Sequence, residues 1–378
     1  MAIERFDVVV IGVGAMGSAA CSSLARRGAG VLGLERFEIP HSFGAHHGHS
    51  RLIRLAYYEH PDYVPLLHRA YELWEDLERR CCIRLLYRVG GLYLGHAEDP
   101  FVAGSIQSAR EYSLAHEVLS RGQIAQAYPQ FHLPDSFIGM YEPTSGVLRA
   151  ASAVRALAED ARTHGAQLRS NEHVLDITGR RVITNRGEYH ARHVILTQGA
   201  WAHDVGVELT VTRQVLGWVR PIRPERFSSE VFPCFAISCS DGSAHYGFPL
   251  IDGVPPPGLF KIAHHWYDRP TTPDRVNREP EPGDEADFRG ALSRYLPEAD
   301  GPLAQIGICL YTSTPDRHFI IDHHPHDPNT TVACGFSGHG FKFAPVVGEI
   351  LADLALDGQT DYPIEFLSLQ RFIRPNGH

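Results

Sequence analysis

The most regular hydrophobic pattern lies at the amino terminus. Phe6 to Ile11 is a short run of mostly β-branched apolar residues, the pattern of a strand buried on both faces. It leads into Gly12-Val13-Gly14-Ala15-Met16-Gly17 and a small-residue helical stretch to Arg27, with Gly28 placed to end it. Val31 to Leu34 reads as a second strand closing on Glu35, so the chain opens with a βαβ unit. From Asp62 to Cys82 the apolar positions Val64, Leu67, Ala70, Leu73 and Leu77 recur at helical spacing. Arg88 to Leu94 reads as a strand interrupted by glycines, and Ala150 to Gly165 as an amphipathic helix. Strands follow near Val174–Ile177, Arg181–Ile183 and Arg192–Leu196, the last leading to a turn with Gly199 and Trp201. From Val215 to His265, strands alternate with Gly/Pro turns, which predicts an antiparallel sheet. A proline-rich loop over 270–287, a helix through Phe288–Tyr295, a strand at Thr331–Ala333 and a helix over Ala344–Leu356 complete the pattern. Parallel material at the beginning, middle and end, with antiparallel material between, predicts an α/β protein of two interleaved domains.

Composition narrows the class. The 378 residues carry 35 basic and 44 acidic side chains, a net charge of −9, which argues against nucleic acid as a partner. Seven cysteines with no CxxC pair read as a reducing compartment. The acidic amino terminus runs straight into the glycine motif, unlike a secretory leader. No apolar run reaches membrane-spanning length, and Pro375–His378 matches no organelle signal. A soluble, cytoplasmic protein is expected. Only two of the basic residues are lysines, Lys261 and Lys342, and both sit in apolar or glycine-rich settings. In a chain that otherwise uses arginine, that placement suggests a need for a compact ammonium.

The motifs point to a dinucleotide. A GxGxxG turn between strand and helix lets backbone N–H groups approach a pyrophosphate, and Glu35 stands where an acid binds a ribose hydroxyl. That pattern alone admits NAD and FAD, and Arg36 beside it is a weak pointer to an NADP phosphate. His46-His47-Gly48-His49 lacks ligand spacing for a metal and reads as a polar loop. Arg51 and Arg54 would form an anion clamp if helical and would point apart if extended. Lys261, in a strand, reads by itself as an edge or solvent-facing residue. Lys342 follows a glycine-rich turn before the last helix, a place suited to an anion. Cys309 by itself reads as a buried thiol.

Taken together, IGVGAMG (11–17), GAHHGHSRLIR (44–54), YVPLLHRAYELW (63–74), SGVL (145–148), HYGFP (245–249), CLYTSTPDRHFIID (309–322) and GFSGHGFKF (335–343) resemble the monomeric sarcosine oxidase and N-methyltryptophan oxidase family of FAD-dependent amine oxidases. The resemblance covers nearly the whole chain. It implies a Rossmann-like FAD-binding domain from segments 1–85, 147–215 and 310–378. An antiparallel-sheet substrate domain would come from 86–146 and 216–309. It further implies FAD held covalently by a thioether to Cys309. Lys261 would lie near the flavin and promote its reaction with oxygen, with Arg51 beside the ring. Arg54 and Lys342 would hold the substrate carboxylate, and Tyr246 and His265 would face the amine. Val174 would contact the adenine part, and His46, His47 and Ser50 would flank the flavin. Gly12 to Gly17, Glu35, Arg36, Gly199, Trp201, Gly338, Gly340, Phe341 and Lys342 complete the expected cofactor contacts. Two departures stand out: the family's GSHHGDTR reads GAHHGHSR here, and the turn at Gly253–Pro257 is unusual.

The expected activity is therefore oxidation of a secondary amino acid, sarcosine or a close N-methyl amino acid, by a monomer using oxygen and releasing hydrogen peroxide. Cyclic imino acids such as pipecolate or proline, or a bulky N-methyl amino acid, are the alternatives. An NAD(P)-dependent dehydrogenase is a more distant reading.

Overall fold

The computed structural model describes residues 3–265 and 269–372, so Pro375–His378 lies outside the described residues. The fold is mixed α/β and is organised around two eight-stranded sheets and a three-stranded one. In the first sheet, the Glu4–Ile11 strand pairs in parallel with Val31–Leu34 on one side and Glu188–Leu196 on the other. Asp327–Cys334 extends it, again in parallel. Ile11 is level with Leu34 and with Leu196, and Leu196 with Val332. The carboxyl ends of four strands thus finish together, the place where open α/β sheets bind ligands. Helices Ala15–Arg26, Ala150–Thr163 and Ala344–Leu356 cover one face of this sheet. Their small residues allow close approach: a Cβ on Gly348 would lie 2.6 Å from the Ala19 backbone.

The second sheet runs, in spatial order, Leu303–Ser313, Thr210–Val219, Phe260–His265, Ala244–Phe248, Cys234–Ser238, Gly91–His96, Phe137–Glu142 and Glu117–Ser120. Neighbours are antiparallel apart from Gly91–His96 with Cys234–Ser238. Side chains alternate faces along each strand, so the register sorts them into two sets. Val215, Val219, Phe235, Ile237, Phe260, Ile262 and Ile308 pack with Phe288 and Leu292 of the Asp284–Tyr295 helix. The residues between them face the opposite way, and that face builds the site.

The segment expected as one strand from Arg88 to Leu94 is two strands in different sheets. Leu86–Arg88 joins Ser50–Ile53 and Gly146–Arg149, whereas Gly91–His96 belongs to the large antiparallel sheet. Gly90, at φ +70°, makes the turn between them, and a Cβ there would strike the Tyr141 ring. The pattern also gave no warning of the Pro100–Glu111 helix, although Asp99 accepts the Phe101 N–H at 2.9 Å as its cap and Pro100 occupies its first position.

Candidate active site

A cavity of about 690 Å³ lies at the aligned carboxyl ends of the parallel strands. Its floor is the glycine turn. Gly12 sits at φ +91°, and a Cβ there would lie 2.6 Å from the Thr197 carbonyl oxygen; a Cβ on Gly17 would collide with the Gly12 carbonyl. These two glycines close the turn against its own backbone. Gly14 differs: a Cβ would meet only His46 Nδ1, at 3.9 Å, and would otherwise project into open space. With the amino end of the Ala15–Arg26 helix behind it, this is a cradle for a pyrophosphate. Val13 contributes its N–H to Glu35 Oε2 at 2.9 Å, and Phe37 N–H donates to the other oxygen at 3.0 Å. Ala15, Met16 and Glu35 also line the cavity. These features fit FAD. Gly14→Val is expected to fold and melt like the parent while failing to retain FAD, as judged by absence of visible absorbance; retention of the yellow colour would exclude this binding mode.

At the far side of Glu35, Val174, Gly199 and Trp201 line the cavity. Arg36 Nη1 donates to Asp274 Oδ1 at 3.1 Å, and Trp201 Nε1 donates to the same oxygen at 3.0 Å. Arg36 and Trp201 are thus both tied to Asp274 at the rim of the cavity. At the other end the wall consists of His46, Arg51, Gly338, Gly340 and Phe341. Burial, then nearby positive groups, pushes His46 down to about 3, so the ring is neutral. Its Nε2 is buried with no hydrogen-bond partner among the described residues. A buried polar atom without a partner asks for an explanation, and its ring lines the cavity.

Arg51 is fixed by carbonyls of its own loop: Ser50 at 2.8 Å, Ala45 at 2.6 Å and His47 at 2.5 Å. Ser50–Ile53 is an extended strand, so Arg51 and Arg54 are not the helical pair that their spacing allowed; both nevertheless line the second cavity described below. His47, Ser50, Lys261 and Cys309 lie just behind the wall and line neither of the two cavities described here. Lys261, far from being solvent-facing, is 2% exposed. Its Nζ donates to the Ser50 carbonyl at 2.8 Å and lies 4.9 Å from the Phe248 ring centre. Burial, then Arg51, holds its pKa well below the usual lysine value, while Cys309 opposes that shift. Cys309 is 1% exposed, and burial raises its pKa against the pull of Arg51, Lys261 and Arg278.

The register of the large sheet explains why these residues meet. Trp218 is opposite Lys261, Lys261 opposite Phe248, Ala263 opposite Tyr246, and Gln214 opposite Cys309. With the two-residue period, Lys261, Ala263 and His265 share a face with Tyr246, Cys309 and Tyr311. That face borders a second cavity of about 380 Å³, which shares Arg51, Tyr311, Gly338 and Phe341 with the first. Gly338, at φ +82°, is required there because a Cβ would strike the Tyr311 ring.

Tyr246 and His265 line the second cavity with their rings 6.1 Å apart, and His265 Nδ1 is 3.1 Å from the Tyr311 hydroxyl. Burial, then Lys342 and Arg54, pushes His265 down to about 3. Arg54 and Lys342 converge on Tyr57, at 4.6 Å and 5.1 Å from its ring centre. Lys342 Nζ donates to the Tyr57 hydroxyl at 3.2 Å and to the His339 carbonyl at 2.8 Å. Burial, then Arg54, lowers it to about 7. Arg54 also pairs with Glu59 at 3.0 Å.

Sequence reasoning did not single out Tyr57, Glu59, Asp99, Asp274, Tyr311 or His339, although Tyr57, Glu59, Tyr311 and His339 lie within or near its quoted motifs. Of the departures, His49 is kept neutral by burial, then by Lys261 and Arg51, and so adds no charge. The Gly253–Pro257 turn lines neither cavity. Among the described residues, no His, Cys, Asp and Glu cluster could hold a metal.

The chain matches the FAD dependent oxidoreductase model over residues 7–354. It is 40% identical to a monomeric sarcosine oxidase of Streptomyces avermitilis, with 97% of each chain covered. It is 35% identical to an N-methyl-L-tryptophan oxidase of Salmonella enteritidis, covering 97% of this chain and 99% of that one. Among solved structures it superposes on an amino acid oxidase essential for nikkomycin biosynthesis with a TM-score of 0.83, at 26% identity and 97% coverage of both chains.

Proposed function

The chain belongs to the FAD dependent oxidoreductase family, and from that premise we propose that it oxidises secondary amino acids, sarcosine or a close N-methyl amino acid, with oxygen as acceptor. The observation that carries this reading is that Arg54 and Lys342, both packed on the buried Tyr57 ring, line a cavity that meets the cofactor cavity at Arg51, Tyr311, Gly338 and Phe341. Two cations fix a carboxylate and so orient the carbon that must lose a hydride.

Bound flavin supplies the acceptor for two electrons. The protein's part is electrostatic and geometric. The positive groups around the cavity disfavour an ammonium, so the amine is held in the neutral form that can give up a hydride. Neutral His265 and the Tyr246 hydroxyl face it as hydrogen-bonding partners. The amine loses a hydride and a proton to become an imine, and water cleaves it; sarcosine thus gives glycine and formaldehyde. Oxygen takes the electron pair and two protons to become hydrogen peroxide. Lys261, next to Arg51, is placed to stabilise oxygen as it turns anionic, because a negative charge arriving beside it favours its ammonium form. We further assign Cys309 as the covalent attachment residue, and a monomer in a reducing compartment as the working state; the seven cysteines are all free. Anaerobic addition of sarcosine is expected to bleach the visible absorbance, and NADH or NADPH to leave it unchanged. Bleaching by a nicotinamide alone would overturn the reading.

Lys342 imposes a pH dependence. Its pKa is lowered to about 7, so its charge is present below that pH and lost above it. A bound carboxylate favours the charged form, so carboxylates must bind more weakly as pH rises. Propionate, which has no amine to titrate, is expected to lose about tenfold in affinity between pH 6 and 9. Lys342→Arg should flatten that profile, as followed by spectral titration.

A further inference from the structure

Resting on the assignment of Cys309 as the attachment residue, we propose that Arg278 is a positioning residue for the formation of that bond. Its guanidinium, held against Phe43 by the 270–287 loop, supplies a fixed positive charge that draws the Cys309 thiol into its reactive thiolate form. The role belongs to maturation of the enzyme and is separate from amine oxidation.

The proline-rich loop is fixed at the point where it carries Arg278. Arg213 and Asp284 form an ion pair at 2.7 Å, with side chains 6% and 0% exposed. Arg213 Nε also donates to the Asn277 carbonyl at 2.9 Å, and its Nη2 to the Glu279 carbonyl at 3.0 Å. The backbone is thus pinned on both sides of Arg278. Gln214, next to Arg213 in its strand, is opposite Cys309. On the other side, Arg278 Nη2 donates to the Phe43 carbonyl at 3.0 Å, with the guanidinium 5.1 Å from the Phe43 ring centre. Phe43 leads into the loop that carries His47. A Cβ on Gly307, two residues before Cys309, would lie 3.7 Å from His47 Nε2. Arg278 therefore bridges the strand opposite Cys309 and the loop packed beside it.

The groups around the thiol leave Arg278 with a distinct part. Burial keeps Tyr246 and Tyr311 neutral, and it does the same for His47 and His49. Three cations remain, and Arg51, Lys261 and Arg278 all favour the thiolate against burial. Lys261 is the weakest of them, because burial disfavours its ammonium. Arg51 is engaged, with three carbonyls of its own loop on its terminal nitrogens. Burial lowers the pKa of Arg278 too, but a guanidinium stays charged across the working range. Its Nη1 is buried with no hydrogen-bond partner among the described residues. A spare N–H on a permanent charge can serve a thiolate without giving up another bond.

The chemistry shows where such a charge matters. Attachment joins Cys309 Sγ to a methyl carbon of the flavin ring. Each partner gives up one proton, and the electron pair left over reaches oxygen, which takes the two protons and becomes hydrogen peroxide. The step therefore needs only the acceptor that the oxidase reaction already uses, and a thiolate to begin it. A fixed cation beside the sulfur raises the fraction of thiolate at a given pH.

The test follows covalent attachment itself. Full-length apoprotein, produced without riboflavin, is mixed with saturating FAD in air, and acid-precipitable flavin is measured over time from about pH 6 to 11. The rate for the parent is expected to rise with pH towards a plateau. Arg278→Met should move the midpoint up by about one unit, which slows attachment about tenfold on the low-pH limb and little on the plateau. Arg278→Lys, which keeps the charge, should return most of that shift. An Arg278→Met profile that superposes on the parent's overturns the proposal. So does one lowered by the same factor on limb and plateau, or one that Arg278→Lys fails to restore, since a displaced loop would give either. Absence of acid-precipitable flavin in the parent, or its persistence in Cys309→Ala, overturns the attachment reading and the proposal with it.

Discussion

Cys309→Ala is expected to abolish covalent flavin attachment altogether. Acid precipitation of the parent protein should give a yellow pellet; the variant should give a colourless pellet and a yellow supernatant, with a matching loss of mass under denaturing conditions. A thiolate, not a thiol, forms such a bond. Burial alone would suppress the thiolate of Cys309, but Arg51, Lys261 and Arg278 all act in the opposite direction. The change should be clean. Cys309 is central in its strand and packs with Leu216, Trp218 and Ala263, so alanine removes one atom and no hydrogen-bond network. Non-covalent FAD should remain, because the glycine turn and Glu35 are untouched. Persistent covalent flavin would redirect the assignment to the 46–49 loop, where His46 is neutral and has its Nε2 unpartnered among the described residues.

Lys261→Met should separate the two halves of the reaction. Anaerobic reduction by substrate is expected to stay within about tenfold of the parent, while oxygen consumption by the reduced enzyme slows about 100- to 1,000-fold, the usual effect of removing one preorganised electrostatic donor. Methionine keeps the volume of the buried chain against Phe248 and Trp218. The Ser50 carbonyl that Lys261 engages also accepts from Arg51 at 2.8 Å, so it keeps a partner in the variant. Stopped-flow mixing with oxygen reads the effect directly. An unchanged rate would remove Lys261 from the oxygen step and leave Arg51 as the neighbouring charge to test.

The legible parts of this site were the local ones. The glycine turn, its flanking strand and helix, and Glu35 form a continuous stretch with its own periodicity, and they stand where that pattern put them. The rarity of lysine was also informative: Lys261 and Lys342 are both buried, at 2% and 6% exposure, in a chain whose other basic residues are arginines. Strand alternation already placed 261, 263 and 265 on one face, and 309 with 311 on another. That these are the same face follows only from the pairing register, which no single strand encodes. Arg51 and Arg54 show the same limit, because a spacing of three has opposite meanings in a helix and a strand. Glu59, Asp99 and Asp274 come from loops, where the fold rather than any local repeat decides what a side chain meets. The partner of Arg36 is Asp274, 238 positions away, which no local pattern announces.

The central claim is that this chain couples oxidation of a secondary amino acid to reduction of oxygen. Its most direct test is the stoichiometry of aerobic turnover with sarcosine, with oxygen uptake, peroxide, formaldehyde and glycine measured in one reaction. The expected result is one of each product for every oxygen consumed, with no requirement for an added electron acceptor. Formaldehyde and glycine that appear only when an artificial acceptor replaces oxygen would contradict the claim and make the protein a dehydrogenase.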